Sequence, residues 1–298
     1  MTQHQTSDIT QAVLDRIQGS TDPRFREVLS AVIRHLHALT REIDLKPDEW
    51  MTAIQFLTRA GQTCDDKRQE LILLSDTLGL SMLVVELEQR RRSAAALVDP
   101  TATVAPTEAT VQGPFYWEGA PALPLGSDIG EGMPGEPTHY SGRVTDTHGQ
   151  PLANCRMDVW SGDGDGFYDM QLGADAGMRL RARFHTDAEG RYHFWSIKPT
   201  YYPVPDDGPV GEMLRRMGRH PNRPGHIHMM IGAEGHVPLT THLFASDSPF
   251  LDSDAVFGVR DTLISPYTRH NGGTAPDGRV LASTFHTVQF DFHLAPAA

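Results

Sequence analysis

Cysteine is scarce in this chain, with only Cys64 and Cys155 among 298 residues. The two lie far apart in sequence and neither belongs to a Cys-x-x-Cys pair, which argues against a disulfide framework and against a cysteine-ligated zinc site. The sequence also has no His-Glu-x-x-His motif, so a zinc hydrolase of that type is a poor interpretation. We expect both cysteines to be free structural thiols, as is usual in a reducing compartment.

Long apolar runs and positive charge are also lacking. No stretch approaches the roughly 20 apolar residues that a membrane-spanning helix needs, and the polar first ten residues do not have the basic-then-apolar order of a signal peptide. Lysine and arginine number 26 against 38 acidic residues, for a net charge of -12, and only Arg90, Arg91 and Arg92 form a basic run. A cytoplasmic protein without a nucleic-acid partner or membrane span is therefore expected.

The first hundred residues have a helical pattern. Ser7 or Asp8 is expected to cap a first helix, and Pro47 with Asp48 to begin a later one. Apolar residues recur every three or four positions, as in amphipathic helices: Ile9, Val13 and Ile17; Phe25, Val28, Leu29, Val32, Leu36 and Leu39; Trp50, Ile54 and Leu57; and Leu71, Leu74, Leu78, Met82 and Val85. Residues 1–100 are therefore predicted to form a helical domain.

The composition changes near residue 100. Proline, glycine and threonine become frequent from 98 to 135, and short β-type runs broken by turn residues follow, at 141–145, 155–160, 191–197, 225–231, 240–244 and 286–293. Asn271-Gly272-Gly273 is expected to be a loop between the last two of these runs. This rhythm predicts a mainly β catalytic domain over 101–298, an antiparallel β-sandwich or barrel, of which the sandwich is preferred.

His226-Ile227-His228 is the strongest local signal of chemistry. Residues two apart on a strand project to the same face, so both imidazoles can reach one metal ion. Alone, this pattern more often belongs to ordinary hydrogen-bonded histidines. A cupin-type site would use Glu234 with His242 or His286, although the spacing fits poorly. Two alternatives come from other classes of protein: a metal-free β-sandwich binding module, and a structural protein that assembles through its helices. Neither would absorb visible light, whereas a protein with a metal-bound tyrosinate would.

Two tyrosine-bearing segments precede the histidines, at 166–169 and 199–211. The string Tyr-Pro-Val-Pro-x-Asp-Gly-Pro-Val-Gly begins at Tyr202, and Arg-His-Pro-x-Arg-Pro-x-His-x-His ends at His228. Together with 73–79, 111–115, 158–160 and 251–259, this ordered set resembles the intradiol ring-cleavage dioxygenases, in particular those that act on hydroxyquinol and their relatives that act on catechol. The resemblance extends over most of the chain.

The resemblance implies one iron(III) ion per chain, held by Tyr168, Tyr202, His226 and His228. Tyr201 is the main competitor of Tyr202, which is preferred because it stands directly before Pro203 in the family's string. A ferric ion suits these ligands because a hard, highly charged ion lowers the pKa of a phenol enough to bind it as phenolate. Iron(II) oxygenases instead favour two histidines and a carboxylate.

The resemblance also implies the reaction and its pocket. A catecholic substrate binds iron as a dianion and displaces Tyr202, which can take a substrate proton, and O2 then attacks the ring to give a muconate. Arg223 steadies the negative charge on the ring. The pocket wall falls on Leu73, Asp76, Gly113, Pro114, Phe115, Val204, Pro205 and Val256.

Asp76 could accept a hydrogen bond from a third ring hydroxyl, which favours hydroxyquinol (benzene-1,2,4-triol) over catechol or chlorocatechol. A role of Asp76 between helices is about as well supported by the sequence. The family resemblance further implies a homodimer formed by the N-terminal helices, with an amphipathic lipid, a phospholipid, held between them.

Overall fold

The computed structural model describes residues 8–65, 68–97, 100–172 and 177–297, without the side chains of 95–97. The chain separates into two compact units, Met1–Arg59 and Ala60–Ala298. The second unit contains both the later helices and all the strands. A domain division at residue 100 stays a prediction. None of the described helices is long and apolar enough to cross a membrane.

The described residues form six α-helices: α1 Ile9–Arg16, α2 Pro23–Glu42, α3 Pro47–Thr63, α4 Glu70–Thr77, α5 Leu80–Leu97 and α6 Pro209–Arg216. Asp8 caps α1 by accepting a hydrogen bond from Thr10 N at 3.1 Å, whereas Ser7, the other candidate, lies outside the described residues. Pro47 begins α3, as its position before Asp48 predicts. Side-chain caps and proline at the first turn are the usual signals of a helix start, which explains why these boundaries were readable.

A break separates α4 from α5 within a periodic apolar pattern. Leu78 is the C-cap residue of α4. Gly79 follows with φ +76°, the left-handed conformation in which helices commonly end at glycine. The 71–85 pattern therefore belongs to two helices rather than to one. This break gives α4 its own orientation, and α4 carries Leu73 and Asp76.

Within the described residues, twelve strands form two five-stranded sheets and one small pair. The first sheet contains β1 Pro137–Asp146, β4 Arg191–Ile197, β10 Thr268–Thr274, β11 Val280–Gln289 and β12 Phe292–Leu294. The second has the order β3 Arg181–His185, β2 Arg156–Trp160, β7 His226–Gly232, β8 Leu239–Ala245 and β9 Ile264–Ser265. Strands β5 Tyr202–Pro203 and β6 Asn222–Arg223 form the small pair.

The main core contains side chains from both large sheets. Tyr140 and Phe194 come from the first sheet, and Met157, Ile227 and Met229 come from the second. Because side chains alternate across a strand, Asp158, Trp160, His226 and His228 project from the opposite face of the second sheet. The sandwich core thus fixes β2 and β7 and leaves their other faces for the functional residues.

The predicted fold class, helices followed by a mainly antiparallel β-sandwich, is confirmed. The pairs β1–β11, β1–β12 and β8–β9 are parallel, a detail that the sequence did not suggest. The expected loop at Asn271-Gly272-Gly273 is wrong, since these residues lie inside β10 at a register shift opposite β11. Glycine in a strand often marks such a bulge, and the same residues also favour turns.

Candidate metal centre and active site

Strand β7 presents His226 and His228 on one face, as their spacing predicts. Both rings are buried, and their centroids are 4.8 Å apart. His226 is oriented by a 2.7 Å contact between Nδ1 and the carbonyl oxygen of Pro224, which leaves Nε2 directed into the site. The indole of Trp160, on the neighbouring strand β2, stacks on His228 at 4.6 Å. The two imidazoles are therefore held by packing and by backbone contact.

Tyr168 and Tyr202 meet these histidines from different segments of the chain. Tyr168 Oη lies 2.9 Å from His228 Nε2 and 3.2 Å from Tyr202 Oη. Tyr202 Oη lies 3.4 Å from His226 Nε2. All four side chains are buried. Two phenol oxygens and two imidazole nitrogens thus converge on one point.

Glycines allow the close approach of the backbone at two places. Gly166 has φ +88°, and a Cβ there would lie 3.0 Å from Tyr202 Cβ and 3.3 Å from Tyr201 O. Gly113 has φ +75°, and its Cβ would lie 3.3 Å from His228 Cε1. A side chain at either position would be strained and would press on a proposed ligand.

The Tyr168 segment is anchored directly after the tyrosine. A single turn of 3-10 helix covers Asp169–Gln171, and Gln171 Oε1 accepts a hydrogen bond from Tyr168 N at 2.8 Å. The carboxylate of Asp169 is buried and paired with the buried Arg181 on β3. Phe115 stacks on the Tyr168 ring at 4.3 Å. Tyr168 is consequently the rigidly held tyrosine of the pair.

Electrostatics in the cluster favour neutral ligand groups. Burial, and then the adjacent Tyr202, raise the pKa of the Tyr168 phenol well above its usual range. Burial, and then the charge of Arg223, lower the pKa of His226 well below its usual range. Burial and the neighbouring His226 do the same to His228. The imidazoles are thus uncharged and able to donate an electron pair, whereas the phenol needs a strong positive charge to ionise.

The donor set fits a hard, highly charged metal ion. Donor atoms that bind one ion at about 2 Å stand about 3 Å apart, and the three contacts between neighbouring donors here measure 2.9, 3.2 and 3.4 Å. Ionisation of a buried phenol requires compensation by a nearby cation, which a trivalent ion supplies. The donor types and contacts of the predicted ligand set are therefore compatible with a ferric ion.

A third histidine, His242, stands beside the pair and was missed as part of this cluster. It lies opposite His228 in the β7–β8 pairing, with ring centroids 4.2 Å from His228 and 4.5 Å from His226. Ring nitrogens of the three histidines lie within 4.8 Å of one another. Of the three histidines, His226 and His228 contact the phenol oxygens within the described residues, so we interpret His242 as support behind the proposed ligands. Cross-strand register, which the sequence does not give, brings it there.

The remaining sequence candidates lie elsewhere. Tyr201 is 46% exposed and packs its ring on Phe250. Glu234 is exposed on the turn between β7 and β8. His286 is buried on β11 of the other sheet, where Nδ1 is 3.7 Å from Glu136. The cupin-type set of Glu234 with a downstream histidine is therefore not assembled.

Arg223 is a buried cation at the edge of the cluster. Its Nη1 lies 3.4 Å from Tyr202 Oη and 3.1 Å from His226 Nε2. Its Nε donates to Asp254 Oδ1 at 3.1 Å, and Nη2 donates to Oδ2 at 3.3 Å. Burial alone would lower the pKa of Arg223, but Asp254 and Tyr202 raise it above its usual value. Asp254 was not predicted as a partner, because an ion pair across 31 residues leaves no sequence periodicity.

A pocket of about 210 Å³ opens beside the cluster. Tyr202 and Arg223 line it, whereas Tyr168 does not. All the residues predicted for the pocket wall are also in its lining: Leu73, Asp76, Gly113, Pro114, Phe115, Val204, Pro205 and Val256. The structure thus brings together side chains from α4, from the 111–115 segment, from the segment after β5 and from the loop after β8.

Asp76 is one of the acidic residues that line this pocket, with Asp65 and Glu70. Its side chain is largely buried, and burial raises the pKa of its carboxyl, although a hydrogen bond with Ser81 and the charge of Arg223 oppose the shift. Asp76 lines the pocket from α4 and also bonds to Ser81 at the start of α5, so the structure is compatible with both a contact with substrate and a role between helices. A donor on a bound ligand would lower the cost of burying this carboxylate.

Comparison with known proteins identifies the family. Residues 22–96 match the sequence profile of the catechol dioxygenase N terminus, and residues 111–296 match that of the dioxygenase family. The chain is 44% identical to hydroxyquinol 1,2-dioxygenase of Nocardioides simplex over 298 residues, which covers 99% of this chain and 97% of that protein.

Solved structures agree. Hydroxyquinol 1,2-dioxygenase from Pseudomonas putida DLL-E4 superimposes with a TM-score of 0.86 at 38% identity, covering 97% of each chain. Catechol 1,2-dioxygenase from Pseudomonas arvilla C-1 gives a TM-score of 0.83 at 30% identity, covering 98% of this chain and 93% of that one. The chain therefore belongs to the intradiol ring-cleavage dioxygenase family, whose members use non-haem iron.

Proposed function

We propose that this enzyme opens the ring of hydroxyquinol between its adjacent hydroxyl-bearing carbons, with O2, to give 3-hydroxy-cis,cis-muconate or its tautomer maleylacetate. The proposal includes one iron(III) ion per chain, bound by Tyr168, Tyr202, His226 and His228. The observation that carries it is the convergence of these four donors, at 2.9 to 3.4 Å, on the edge of a ring-sized pocket. When bound, ferric iron supplies the positive charge that ionises phenols and withdraws electron density from the ring.

Tyr202 is suited to hold a substrate proton. It is the tyrosine of the pair that faces the pocket, and its Oη is within reach of Arg223 Nη1. A guanidinium at this place stabilises the phenolate form and, with Tyr202 turned aside, any negative charge on the substrate. Asp254 occupies Nε and Nη2 of Arg223 and so keeps Nη1 directed into the pocket.

Asp76 supports hydroxyquinol as the preferred substrate. Apolar side chains such as Leu73, Phe115 and Val256 line the pocket and can bury the faces of a ring, and Asp76 offers an acceptor to a third hydroxyl. Such a hydrogen bond to a buried carboxylate contributes on the order of 1.5–3 kcal/mol. The similarity to hydroxyquinol dioxygenases at 38–44% identity, against 30% for a catechol enzyme, points the same way.

Steady-state kinetics on hydroxyquinol, catechol and 4-chlorocatechol test the proposal. The third hydroxyl should raise kcat/KM by roughly tenfold or more, since about 1.4 kcal/mol corresponds to each factor of ten. The substitution Asp76→Ala should remove most of this preference and leave the tyrosinate-to-iron absorption in place. Asp252→Ala, which removes an exposed carboxylate, is the matched control and should behave as wild type.

Equal efficiency on catechol and hydroxyquinol would overturn the substrate assignment in favour of a catechol 1,2-dioxygenase. Greater efficiency on the chlorinated ring would favour the chlorocatechol alternative. A colourless protein with stoichiometric zinc would overturn the iron assignment.

The same proposal includes a homodimer formed by the N-terminal helices. Its support is a row of exposed apolar residues along α2, a surface typical of helix association: Phe25, Val28, Val32, Leu36 and Leu39. A phospholipid held between such helices belongs to the proposal as well. A cytoplasmic location is proposed because Cys64 and the buried Cys155 are both free thiols.

A further inference from the structure

We propose that Glu70, paired with Arg68, is a positioning residue of the active site that sets the spacing between two walls of the substrate pocket. One wall is α4, which carries Leu73 and Asp76. The other is the segment 202–208, which begins with the proposed ligand Tyr202. The inference rests on the proposed function, and it assigns a role to a charged cluster that lines the pocket beside the predicted wall residues and is not among the proposed metal ligands.

Glu70 stands at the first position of α4 and is completely buried. Its Oε2 accepts hydrogen bonds from Arg68 Nε at 3.0 Å and Nη2 at 2.9 Å. Its Oε1 accepts a hydrogen bond from Val210 N at 3.0 Å. Arg68 Nη1 reaches the carboxylate of Asp207 at 2.8 Å. One arginine and two acids thus link the start of α4 to the start of α6.

The link replaces a local helix cap. Gly208 is the N-cap residue of α6 and has no side chain to satisfy the first-turn amides, so Glu70 does this from another helix. A Cβ on Gly208 would lie 2.5 Å from both Glu70 Oε1 and Arg68 Nη2. The missing side chain at position 208 therefore makes room for the buried carboxylate.

A buried carboxylate is costly unless its charge and its lone pairs are satisfied, and here both oxygens are occupied. An apolar contact would join two helices at lower cost but would allow them to slide. Directional bonds at fixed positions hold the backbone in register. This geometry indicates that the ion pair aligns α4 with α6 and does not serve stability alone.

The linked segments meet in the pocket. Val204 and Pro205 lie between Tyr202 and Gly208 and face the pocket that Leu73 and Asp76 line from α4. The far end of α4 is tied as well, since Arg219 donates to Thr77 O at 2.6 Å and to Ala255 O at 2.9 Å, next to Val256. With both ends fixed, the distance from Asp76 to the Tyr202 side of the pocket is fixed too.

The link also affects Tyr202. Under the proposed function, the Tyr202 phenol is displaced from the metal when substrate binds and returns to it after turnover. Because Glu70 holds the backbone that follows Tyr202, the phenol can swing while Val204 and Pro205 stay in place. Loss of the Glu70–Arg68 link should weaken binding of the triol more than it changes the metal site of the enzyme without substrate. The expected signature is a change in KM and in substrate preference with retained colour.

The test uses the iron-loaded full-length enzyme with Glu70→Gln, Arg68→Ala and Arg68→Lys. Glu70→Gln and Arg68→Ala should raise KM for hydroxyquinol by about tenfold, change kcat by less than about threefold, and reduce the preference for hydroxyquinol over catechol. Arg68→Lys should fall between these variants and wild type, because lysine keeps the charge but not the two-pronged contact. The visible absorption at rest should match that of wild type in all three.

Arg191→Ala is the matched control, since Arg191 also bridges two acids, Asp187 and Glu189, but on an exposed turn. It should leave KM and preference unchanged. Wild-type KM and preference in folded Glu70→Gln would overturn the inference, as would loss of colour in parallel with activity, which indicates a general structural role. If Glu70→Gln does not fold, Arg68→Lys decides by the same two readouts. A wild-type enzyme that lacks colour or does not cleave the triol refutes the proposed function instead.

Discussion

Two neighbouring tyrosines, Tyr201 and Tyr202, differ in whether the side chain points into the site or to the surface. Tyr202 is buried with its oxygen among the proposed ligands, whereas Tyr201 lies on the surface against Phe250. Extended backbone turns successive side chains to opposite sides, so one of the two had to point away from the site. The sequence motif favoured Tyr202 over Tyr201 as metal ligand, and that role stays a prediction.

Substitution of the tyrosines tests the ligand set directly. Tyr168→Phe should abolish both the visible absorption of the iron-loaded protein and ring cleavage, because a ring without its oxygen cannot bind the metal. Tyr201→Phe should leave both within about twofold of wild type. Absorption spectra with metal analysis check this. Bleaching by Tyr201→Phe but not by Tyr202→Phe would reverse the assignment.

Asp76 links stability to pH through its burial. A carboxyl whose pKa is raised in the folded state contributes stability that is present at low pH and lost as the pH rises through the folded pKa. Burial raises the pKa of Asp76, so the stability from this group is lost as the pH rises from the unfolded pKa, about 3.9, through the folded pKa.

The substitution Asp76→Asn should therefore increase the free energy of unfolding at pH 7. The gain should vanish at pH values below about 3.9, where the carboxyl is protonated in the folded and unfolded states. Denaturant unfolding of both proteins between pH 3.5 and 7.5 measures the difference in their free energies of unfolding. Both proteins must be folded in the absence of denaturant at each pH. A variant less stable than wild type at pH 7 would mean that Arg223 and Ser81 outweigh burial.

At the scale of elements, the register of β7 with β8 matters most. It places His242 opposite His228, within the same buried cluster. Burial, and then the adjacent His228, lower the pKa of His242 well below its usual range, so this ring packs as a neutral group. A ring that fixes the orientation of two proposed metal ligands would act on the metal through them.

Removal of this ring should loosen the metal without removing a ligand. His242→Ala is expected to weaken iron binding by about tenfold or more and to keep the tyrosinate absorption once iron is in excess. His286→Ala is the matched control, because it removes a buried histidine from the other sheet. Iron titration followed by absorption measures both. Complete loss of colour at saturating iron would make His242 a ligand.

Element boundaries were predictable where local signals set them. Strand β4 has the predicted limits, and α3 starts at the predicted proline. The division between α4 and α5 was not predicted, since apolar residues continue across Gly79. Asn271-Gly272-Gly273 was wrongly predicted as a loop, because pairing with β11 overrides the turn preference of these residues.

At the scale of the whole molecule, the exposed apolar row on α2 bears on assembly. Leu36 is 56% exposed in the single chain. Burial of one leucine from each of two partners contributes about 1.5–3 kcal/mol per side chain. Association through this row would therefore respond strongly to a charge.

Light scattering at micromolar concentration should give the mass of a dimer for the wild-type chain. Leu36→Glu should weaken association by about tenfold or more. His35→Glu, which adds the same charge one position earlier on another face of α2, should not. A monomeric wild-type protein would reject the homodimer.

The sequence by itself determined the family and the fold class, and it named the residues proposed for the chemistry. The two-residue spacing of the histidines along a strand and the motifs around Tyr202 and His228 are local properties, so they can be read without coordinates. Family profiles that match 22–96 and 111–296 agree with that reading.

Tertiary structure decided which groups support those residues. Contacts between distant segments bring in three such groups: Asp254 pairs with Arg223, His242 packs on His226 and His228, and Glu70 accepts a hydrogen bond from Val210 N. Such contacts depend on strand register and on helix docking, which are settled by burial over the whole core rather than by any local pattern. The sequence therefore named the residues proposed for the reaction, and only the fold revealed what holds them in place.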